Sequence, residues 1–178
     1  MALSSTVFVF DIDLSDTDRH VYETLSLRIA RHPSESDEFL IARLLAYCLE
    51  YTEGIEFSRG LSAADDPPIA VRDLTGVMRA WIDVGTPSAD RLHRASKAAP
   101  RVAVYVHKEH RQWLAELERA KVHRAEAIEV RAFERELIAQ MVSRLERRMA
   151  FPITVADGEM FIALADGTVS GRTTRLEL

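Results

Sequence analysis

Cysteine is nearly absent from this chain of 178 residues, whose one cysteine is Cys48. A lone thiol excludes a disulfide framework and a zinc site built from several thiolates. Positive charge is also in deficit, because the formal net charge is −5. Broad, sequence-independent adhesion to nucleic acid normally depends on a basic surface, so the composition leaves room only for a local basic patch.

Long apolar runs are missing too. No segment approaches the roughly 20 apolar residues that a membrane-spanning helix needs. The first residues, MALSSTVFVFDID, contain a short apolar run without a basic leader, which does not fit a secretory signal. We therefore expect a cytoplasmic protein without a membrane partner. Hydrophobic residues make up 47% of the sequence, enough for one compact core, and we predict a single domain over residues 1–178.

Strand and helix patterns follow one another along the chain. Alternating or β-branched segments predict strands at residues 6–13, 21–30, 55–58, 71–73, 77–84, 101–106, 125–130, 152–155, 160–164 and 173–178. Apolar residues at helical spacing predict helices at residues 34–52, 88–99, 107–121 and 134–149. This order predicts a mixed α/β (α+β) domain with an N-terminal hairpin and a C-terminal β-meander.

The segment 71–97 concentrates the residue types suited to chemistry. Its pattern places Asp73 at a strand end and Asp83 in the next strand, and the helix that follows carries Arg94 and Lys97. Carboxylates are the protein ligands that Mg²⁺ prefers, and nearby cations can stabilise a phosphate. The pattern therefore suggests a Mg²⁺-assisted phosphodiesterase site, although an ordinary solvated rim has the same composition.

Acidic residues also crowd the start of the first predicted helix. Glu35 and Glu38 lie three residues apart and share a face, although the helix dipole alone favours carboxylates at this end. Arg43 lies further along the same helix, beyond an apolar turn. We predict that its partner is a buried carboxylate such as Asp73 or Asp83.

Two further motifs have simpler explanations. Asp11 and Asp13 follow an apolar strand, and their spacing resembles the Asp-x-Asp of haloacid-dehalogenase-type phosphatases. No Gly-Thr follows them and the next element has a strand pattern, which favours turn-entry acids instead. His107 and His110 lie one turn apart in HKEH without a third ligand pattern, so we predict surface histidines on a helix rather than a zinc site.

Five blocks of sequence together resemble one known family. They are ARHPSE at residues 30–35, RLLA at 43–46, FSRGL at 57–61, DLTG at 73–76 and WIDVGTP at 81–87. In this order they are similar to the YaeQ family over almost the whole chain. The resemblance implies a variant of the PD-(D/E)XK nuclease fold, which is a restriction-endonuclease-like mixed sheet flanked by helices.

The resemblance also implies a Mg²⁺ site. Members of the superfamily place one acid at a strand end, a second acid on the next strand and often a Glu on the preceding helix, and these carboxylates hold the metal. On this chain Asp73 matches the first acid and Asp83 the second. Glu38, ahead of Glu35, matches the helix acid.

The resemblance is incomplete at the catalytic cation. A lysine normally stands two residues after the second acid and stabilises developing negative charge, but this chain has Gly85 there. The cation is then expected on the following helix, with Arg94 as the first choice and Lys97 as the second. Two functions stay open. One is Mg²⁺-dependent hydrolysis of nucleic acid, and the other is a degenerate nuclease fold that serves as a binding or regulatory module.

Overall fold

One mixed sheet of ten strands organises the computed structural model, which describes residues 4–58 and 65–178. The strands are β1 (Thr6–Asp16), β2 (Val21–Arg31), β3 (Ile55–Phe57), β4 (Ile69–Arg72), β5 (Met78–Val84), β6 (Arg101–Val106), β7 (Ile128–Phe133), β8 (Arg148–Ala156), β9 (Glu159–Leu164) and β10 (Gly167–Leu176). The helices are α1 (Asp37–Leu49), α2 (Ala89–Ala98), α3 (Arg111–Arg119) and α4 (Arg135–Ser143). Across the sheet the strand order is β2-β1-β8-β9-β10-β7-β6-β5-β4-β3.

The N-terminal hairpin and the C-terminal meander share one half of this sheet. β1 and β2 pair antiparallel along their whole length, from Thr6 opposite Arg31 to Asp16 opposite Val21. Alternate residues of β1 are buried, because every second side chain of a strand points to the core face. β8, β9 and β10 form an antiparallel meander, and β8 joins it to the hairpin by pairing parallel with β1. Both predicted features are confirmed.

The other half of the sheet positions the candidate site. β4 and β5 are antiparallel neighbours in which Ile69 pairs with Ile82, while β5, β6 and β7 run parallel. Because the carboxyl ends of parallel strands meet at one edge of a sheet, the residues that follow β5 and β6 come together. The Gly85 backbone N–H donates to the Tyr105 carbonyl oxygen at 2.9 Å, which extends the pairing past the end of β5.

Helix α1 lies inside the molecule rather than on its surface. Its residues 40–48 are all buried, and it packs against α4, β5 and β6. Ser36 is the N-cap, and its hydroxyl accepts a hydrogen bond from the Phe39 backbone N–H at 3.1 Å. The first turn of α1 thereby reaches the same sheet edge at which β5 and β6 end.

Three helices are shorter than the sequence pattern predicted, since α1 spans Asp37–Leu49 rather than residues 34–52 and both α3 and α4 are shortened. The prediction of helix over residues 134–149 is wrong at its end, because α4 stops at Ser143 and Arg148 already pairs with Val9 in β1. That parallel pairing joins distant parts of the chain, and no local periodicity reports it. Similarly, α3 begins at Arg111, so His107 lies in the loop before it. No helix of the described residues is long and apolar enough to cross a membrane.

Candidate functional site

A cavity of about 470 Å³ opens where β5 and β6 end. We call it the β5–β6 cleft. Its walls come from the start of α1, the segment before β4, the ends of β5 and β6, and the first turn of α2. The charged or titratable side chains that line it are Glu35, Asp66, Asp83, Arg91, His107 and Lys108. The cleft therefore combines carboxylates and cations on elements that are far apart in sequence.

Asp83 is the most deeply buried acid of this cleft, with 3% of its surface exposed. Its Oδ2 accepts a hydrogen bond from Trp81 Nε1 at 3.0 Å and another from Arg91 Nε at 2.7 Å. Trp81 reaches it because residues two apart on a strand share a face. A buried carboxylate needs such partners, since an unpaired charge away from water is strongly unfavourable.

Arg91 links β5 to the segment that precedes β4 at this end. Its Nη2 donates to the backbone oxygen of Asp66 at 2.9 Å while its Nε holds Asp83. Its Cζ lies 5.3 Å from the centroid of the Trp81 ring, in a cation–π contact. One guanidinium therefore bridges the backbone oxygen of Asp66 and the Asp83 carboxylate at the cleft wall.

Asp73 lies elsewhere, which corrects the pairing of Asp73 with Asp83 suggested by the sequence. Asp73 occupies the turn between β4 and β5, and six residues of extended chain, about 20 Å, separate that turn from Asp83. Its Oδ1 accepts from the Thr75 hydroxyl at 2.6 Å and the Val77 N–H at 3.0 Å, and Arg79 Nε donates to its Oδ2 at 2.8 Å.

These hydrogen bonds explain both the local structure and the acidity of Asp73. The hydroxyl of Thr75, together with Val77 and Arg79, lowers the pKa of Asp73 from 3.8 to about 2 despite the opposing effect of desolvation. A carboxylate bound in this way organises a hairpin turn. Asp73 therefore has a structural account that needs no metal.

The predicted cations Arg94 and Lys97 do not line the cleft. Arg94 Nη1 lies 3.7 Å from Asp65 Oδ1, and both side chains are largely exposed. Lys97 is exposed in the last turn of α2. The cleft instead receives Arg91 from the first turn of α2 and Lys108 from the loop after β6. Lys108 follows a buried parallel strand, and this position could have identified it from the sequence.

Gly85 has a conformational reason to be glycine. Its φ of +90° lies in a region that side-chain-bearing residues rarely adopt. A Cβ there would meet nothing nearer than His107 Cε1 at 3.7 Å, so backbone conformation rather than space excludes a side chain. A lysine at this position would be strained, so the backbone disfavours the cation that the resemblance leads one to expect at residue 85.

Glu35, rather than Glu38, faces the cleft. The Glu35 side chain is 5% exposed and its Oε2 accepts from the His32 N–H at 3.0 Å, whereas Glu38 is exposed and does not line the cavity. Arg43 Nη2 lies 3.6 Å from the same Oε2 and donates to the Ala30 oxygen at 2.8 Å. The prediction that Arg43 pairs with Asp73 or Asp83 is therefore wrong.

His107 is half-buried at the cleft and not on a helix, so the prediction of a surface helix position is wrong for it. Its ring packs edge-on against Phe39, with 6.1 Å between the centroids. Burial lowers the pKa of His107, the neighbouring Lys108 lowers that pKa further, and Glu38 partly raises it. His110 lies at the start of α3, as its N-cap.

The carboxylates of the cleft fit the partial ligand set that Mg²⁺ commonly uses. Mg²⁺ is usually bound through one or two carboxylates, with water and substrate phosphates completing the shell, and Asp66 and Asp83 line one wall. Among the residues that the structure describes, no group of three or more His, Cys, Asp or Glu side chains could hold a metal. A closed, zinc-type site is therefore not formed by the described residues.

Asp11 and Asp13 lie outside this cleft. Both are exposed on β1, where Asp11 accepts from the Ser26 hydroxyl at 2.8 Å and Asp13 from the Thr24 hydroxyl at 3.1 Å. These cross-strand hydrogen bonds account for both side chains as parts of a solvated sheet face.

Comparison with known proteins gives one consistent result. The family model described as YaeQ protein matches residues 1–172. "Uncharacterized protein YaeQ" from Escherichia coli (strain K12) is 29% identical over 164 residues, which cover 92% of this chain and 91% of that protein. The crystal structure of YaeQ from Pseudomonas syringae matches with a TM-score of 0.90 at 30% identity, covering 98% of this chain and 97% of that one. The structure of YaeQ from Xanthomonas axonopodis pv. citri matches with a TM-score of 0.89 at 31% identity, covering 98% and 99%.

Proposed function

This chain belongs to the YaeQ family, and we propose that it hydrolyses phosphodiester bonds of nucleic acid in a Mg²⁺-dependent reaction at the β5–β6 cleft. One observation carries the proposal. The Arg91 guanidinium contacts both the Asp83 carboxylate and the backbone oxygen of Asp66, which joins β5 to the segment before β4 at the wall of a cavity that both acids line. The nuclease resemblance implies two acids on neighbouring strands, and we assign Asp66, which lies three residues before β4, to the position first given to Asp73.

The order of elements around the cleft supports the same proposal. Helix α1 precedes three antiparallel strands, β3, β4 and β5, and α2 then leads to β6 parallel to β5. A helix acid, two strand acids and a neighbouring cation are the parts that the resemblance expects. Around one cavity, Glu35 comes from the turn before α1, Asp66 from the segment before β4, Asp83 from β5 and Lys108 from the loop after β6. Three acids and one cation therefore lie at the cleft, and Asp83 is the one that stands on a strand.

Each side chain has a role that follows from its chemistry. Asp66 and Asp83 would hold Mg²⁺, which neutralises phosphate charge and lowers the pKa of a bound water. Lys108, as an exposed ammonium at the cavity, stabilises the negative charge that develops as the P–O bond breaks. Glu35, buried against Arg43, fixes the start of α1 beside the cleft.

A second function, in which the cleft binds nucleic acid without cleaving it, is favoured by the Asp83–Arg91 pair. Both described hydrogen bonds to Asp83 end on Oδ2, and the guanidinium neutralises the carboxylate. A carboxylate in this state is a poor metal ligand unless the arginine moves. In that case the chain would be a binding or regulatory module with the same architecture.

Cleavage assays separate the two functions. Purified protein is incubated with single-stranded and duplex DNA and RNA in Mg²⁺, in Mn²⁺ and in EDTA, and the products are separated by size. We expect metal-dependent cleavage that falls at least about 100-fold in Asp83→Asn, the order of effect of losing one electrostatic contribution to a transition state. Asparagine keeps an acceptor for Trp81 and Arg91, so the substitution removes charge with little change of shape.

Asp73→Asn is the matched control, because it removes the same charge about 20 Å from the cleft. It should retain the wild-type cleavage rate. If folded wild-type protein binds nucleic acid but cleaves none of these substrates in either metal, hydrolysis is contradicted and the binding function replaces it.

A further inference from the structure

The carboxylate that a metal needs in the β5–β6 cleft is already held by Arg91. Arg91 Nε lies 2.7 Å from Asp83 Oδ2, with the arginine side chain 20% exposed and the aspartate 4%. Paired in this way, each charge offsets the cost of burying the other. The contact is therefore the arrangement of Asp83 that the structure describes.

A divalent cation would compete directly with this arrangement. A guanidinium and a metal ion on one carboxylate lie only a few ångströms apart, and their repulsion is strong where little water screens it. Asp83 therefore binds a cation more tightly when the guanidinium is absent. Metal binding at Asp83 favours release of the Arg91 contact with Oδ2.

Arg91 has an obvious second partner once a phosphodiester enters. A guanidinium is planar, stays protonated and presents a fork of donors that matches two phosphate oxygens. Arg91 projects from the first turn of α2, which begins at the cleft. A phosphate beside Asp83 would thus lie within the reach of the same side chain.

We propose that Arg91 exchanges partners, holding Asp83 in the resting protein and transferring its guanidinium to a phosphate oxygen when a divalent cation and a phosphodiester occupy the cleft. The inference rests on the proposed function and adds a residue to it. Arg91 would occupy the functional place of the lysine that Gly85 cannot provide, as a phosphate-binding cation and not as a base.

Trp81 provides a built-in reporter of this exchange. Its Nε1 donates to Asp83 Oδ2 at 3.0 Å, and Arg91 Cζ lies 5.3 Å from its ring centroid. Departure of Arg91 removes a cation from the ring face, which changes the indole environment. The other tryptophan of the chain, Trp113, lies in the same core cluster as Trp81 and donates to the Pro87 oxygen, so its emission has to be removed before that of Trp81 is measured.

The first test measures Mn²⁺ affinity by titration calorimetry. Arg91→Gln, which removes the competing charge, should bind Mn²⁺ on the order of tenfold more tightly than wild type, within the range of coupled sites. The Mn²⁺ affinity of Arg91→Lys should lie between those of wild type and Arg91→Gln, because an ammonium keeps the charge but lacks the planar fork of the guanidinium. Arg94→Gln, an exposed arginine one turn further along α2, is the control and should bind as wild type does.

The second test needs no change at Arg91. In a Trp113→Phe background, Mg²⁺ titration should shift the Trp81 emission and saturate, and Asp83→Asn should abolish the shift. If Arg91→Gln does not fold, the exchange is tested by the Trp81 emission and by the Mn²⁺ affinity of Arg91→Lys.

Wild-type Mn²⁺ affinity in Arg91→Gln, or unchanged Trp81 emission while calorimetry detects binding, would overturn the inference. If neither wild type nor the Arg91 variants bind the cation, both the Arg91 exchange and the proposed binding of Mg²⁺ by Asp66 and Asp83 are contradicted. Tighter binding in Arg91→Gln without cleavage by any variant would instead support the exchange and contradict hydrolysis alone.

Discussion

Asp73 and Asp83 lie at opposite ends of the β4–β5 hairpin, and they belong to different chemical environments. Asp83 is buried beside Arg91 at the cleft, whereas Asp73 organises the hairpin turn through Thr75, Val77 and Arg79.

Asp73→Asn should alter the pH dependence of stability without changing the cleft. The pKa of Asp73 is about 2 in the folded protein against an ordinary 3.8, so the ionised carboxylate stabilises the fold above pH 4. That contribution is lost as the pH falls from about 4 to 2. In urea unfolding between pH 2 and 7, Asp73→Asn should be less stable than wild type at neutral pH, and the difference should close near pH 2. A constant difference across the whole range would contradict the assigned hydrogen bonds.

Gly85→Ala should destabilise the protein through backbone strain alone. Its φ is +90° and a Cβ would have space, so we expect a loss of about 1–2 kcal/mol. Gly54→Ala is the comparison, since its φ is +83° and its Cβ would also lie 1.9 Å from the Arg72 carbonyl oxygen. The Gly54 variant should therefore lose more free energy of unfolding in urea. Equal losses, or none at Gly85, would mean that glycine is not needed there for its conformation.

His107 should make the protein less stable as the medium becomes acidic. Burial, with a smaller effect of Lys108, lowers the pKa of His107 below the ordinary 6.5 in the folded state. The unfolded chain then binds more protons below pH 6.5, so stability is complete above that value and falls as the pH decreases. His107→Gln should show a smaller loss of stability between pH 7.5 and 5.5 than wild type.

The control for this measurement is His20→Asn, which removes an imidazole from an exposed turn. His20 has a φ of +57°, a conformation that asparagine tolerates better than most residues. This variant measures what the loss of an exposed imidazole does to the slope of stability against pH. An unchanged slope in His107→Gln would contradict the effect assigned to burial of that ring.

Much of the fold was predictable because its signals are local. The hairpin of β1 and β2, the strand β6 and the order of the meander all carry alternating or β-branched patterns between turn residues. The end of α4 and the early start of β8 were not predictable, because β8 pairs with β1 from the other end of the chain. Such a contact leaves no trace in a window of neighbouring residues.

The site was only partly predictable for a related reason. Asp83 could be assigned from its place on a strand, whereas its neighbours Asp66 and Lys108 come from segments before β4 and after β6. Asp73 was favoured because it also stands at a strand end. Asp66 and Asp73 stand at opposite ends of β4. Only the antiparallel pairing of β4 with β5 shows that Asp73 lies at the closed turn and Asp66 at the end near Asp83.

Metal and phosphate binding at the β5–β6 cleft can be seen in a crystal structure of the protein soaked in Mn²⁺ with a non-hydrolysable phosphodiester, measured at a wavelength where manganese scatters anomalously. We expect an anomalous peak at the Asp83 carboxylate beside Asp66, with Arg91 withdrawn from Oδ2 and contacting phosphate. A cleft without a peak, or a peak at the Asp73 turn with the Arg91–Asp83 contact intact, would contradict this expectation.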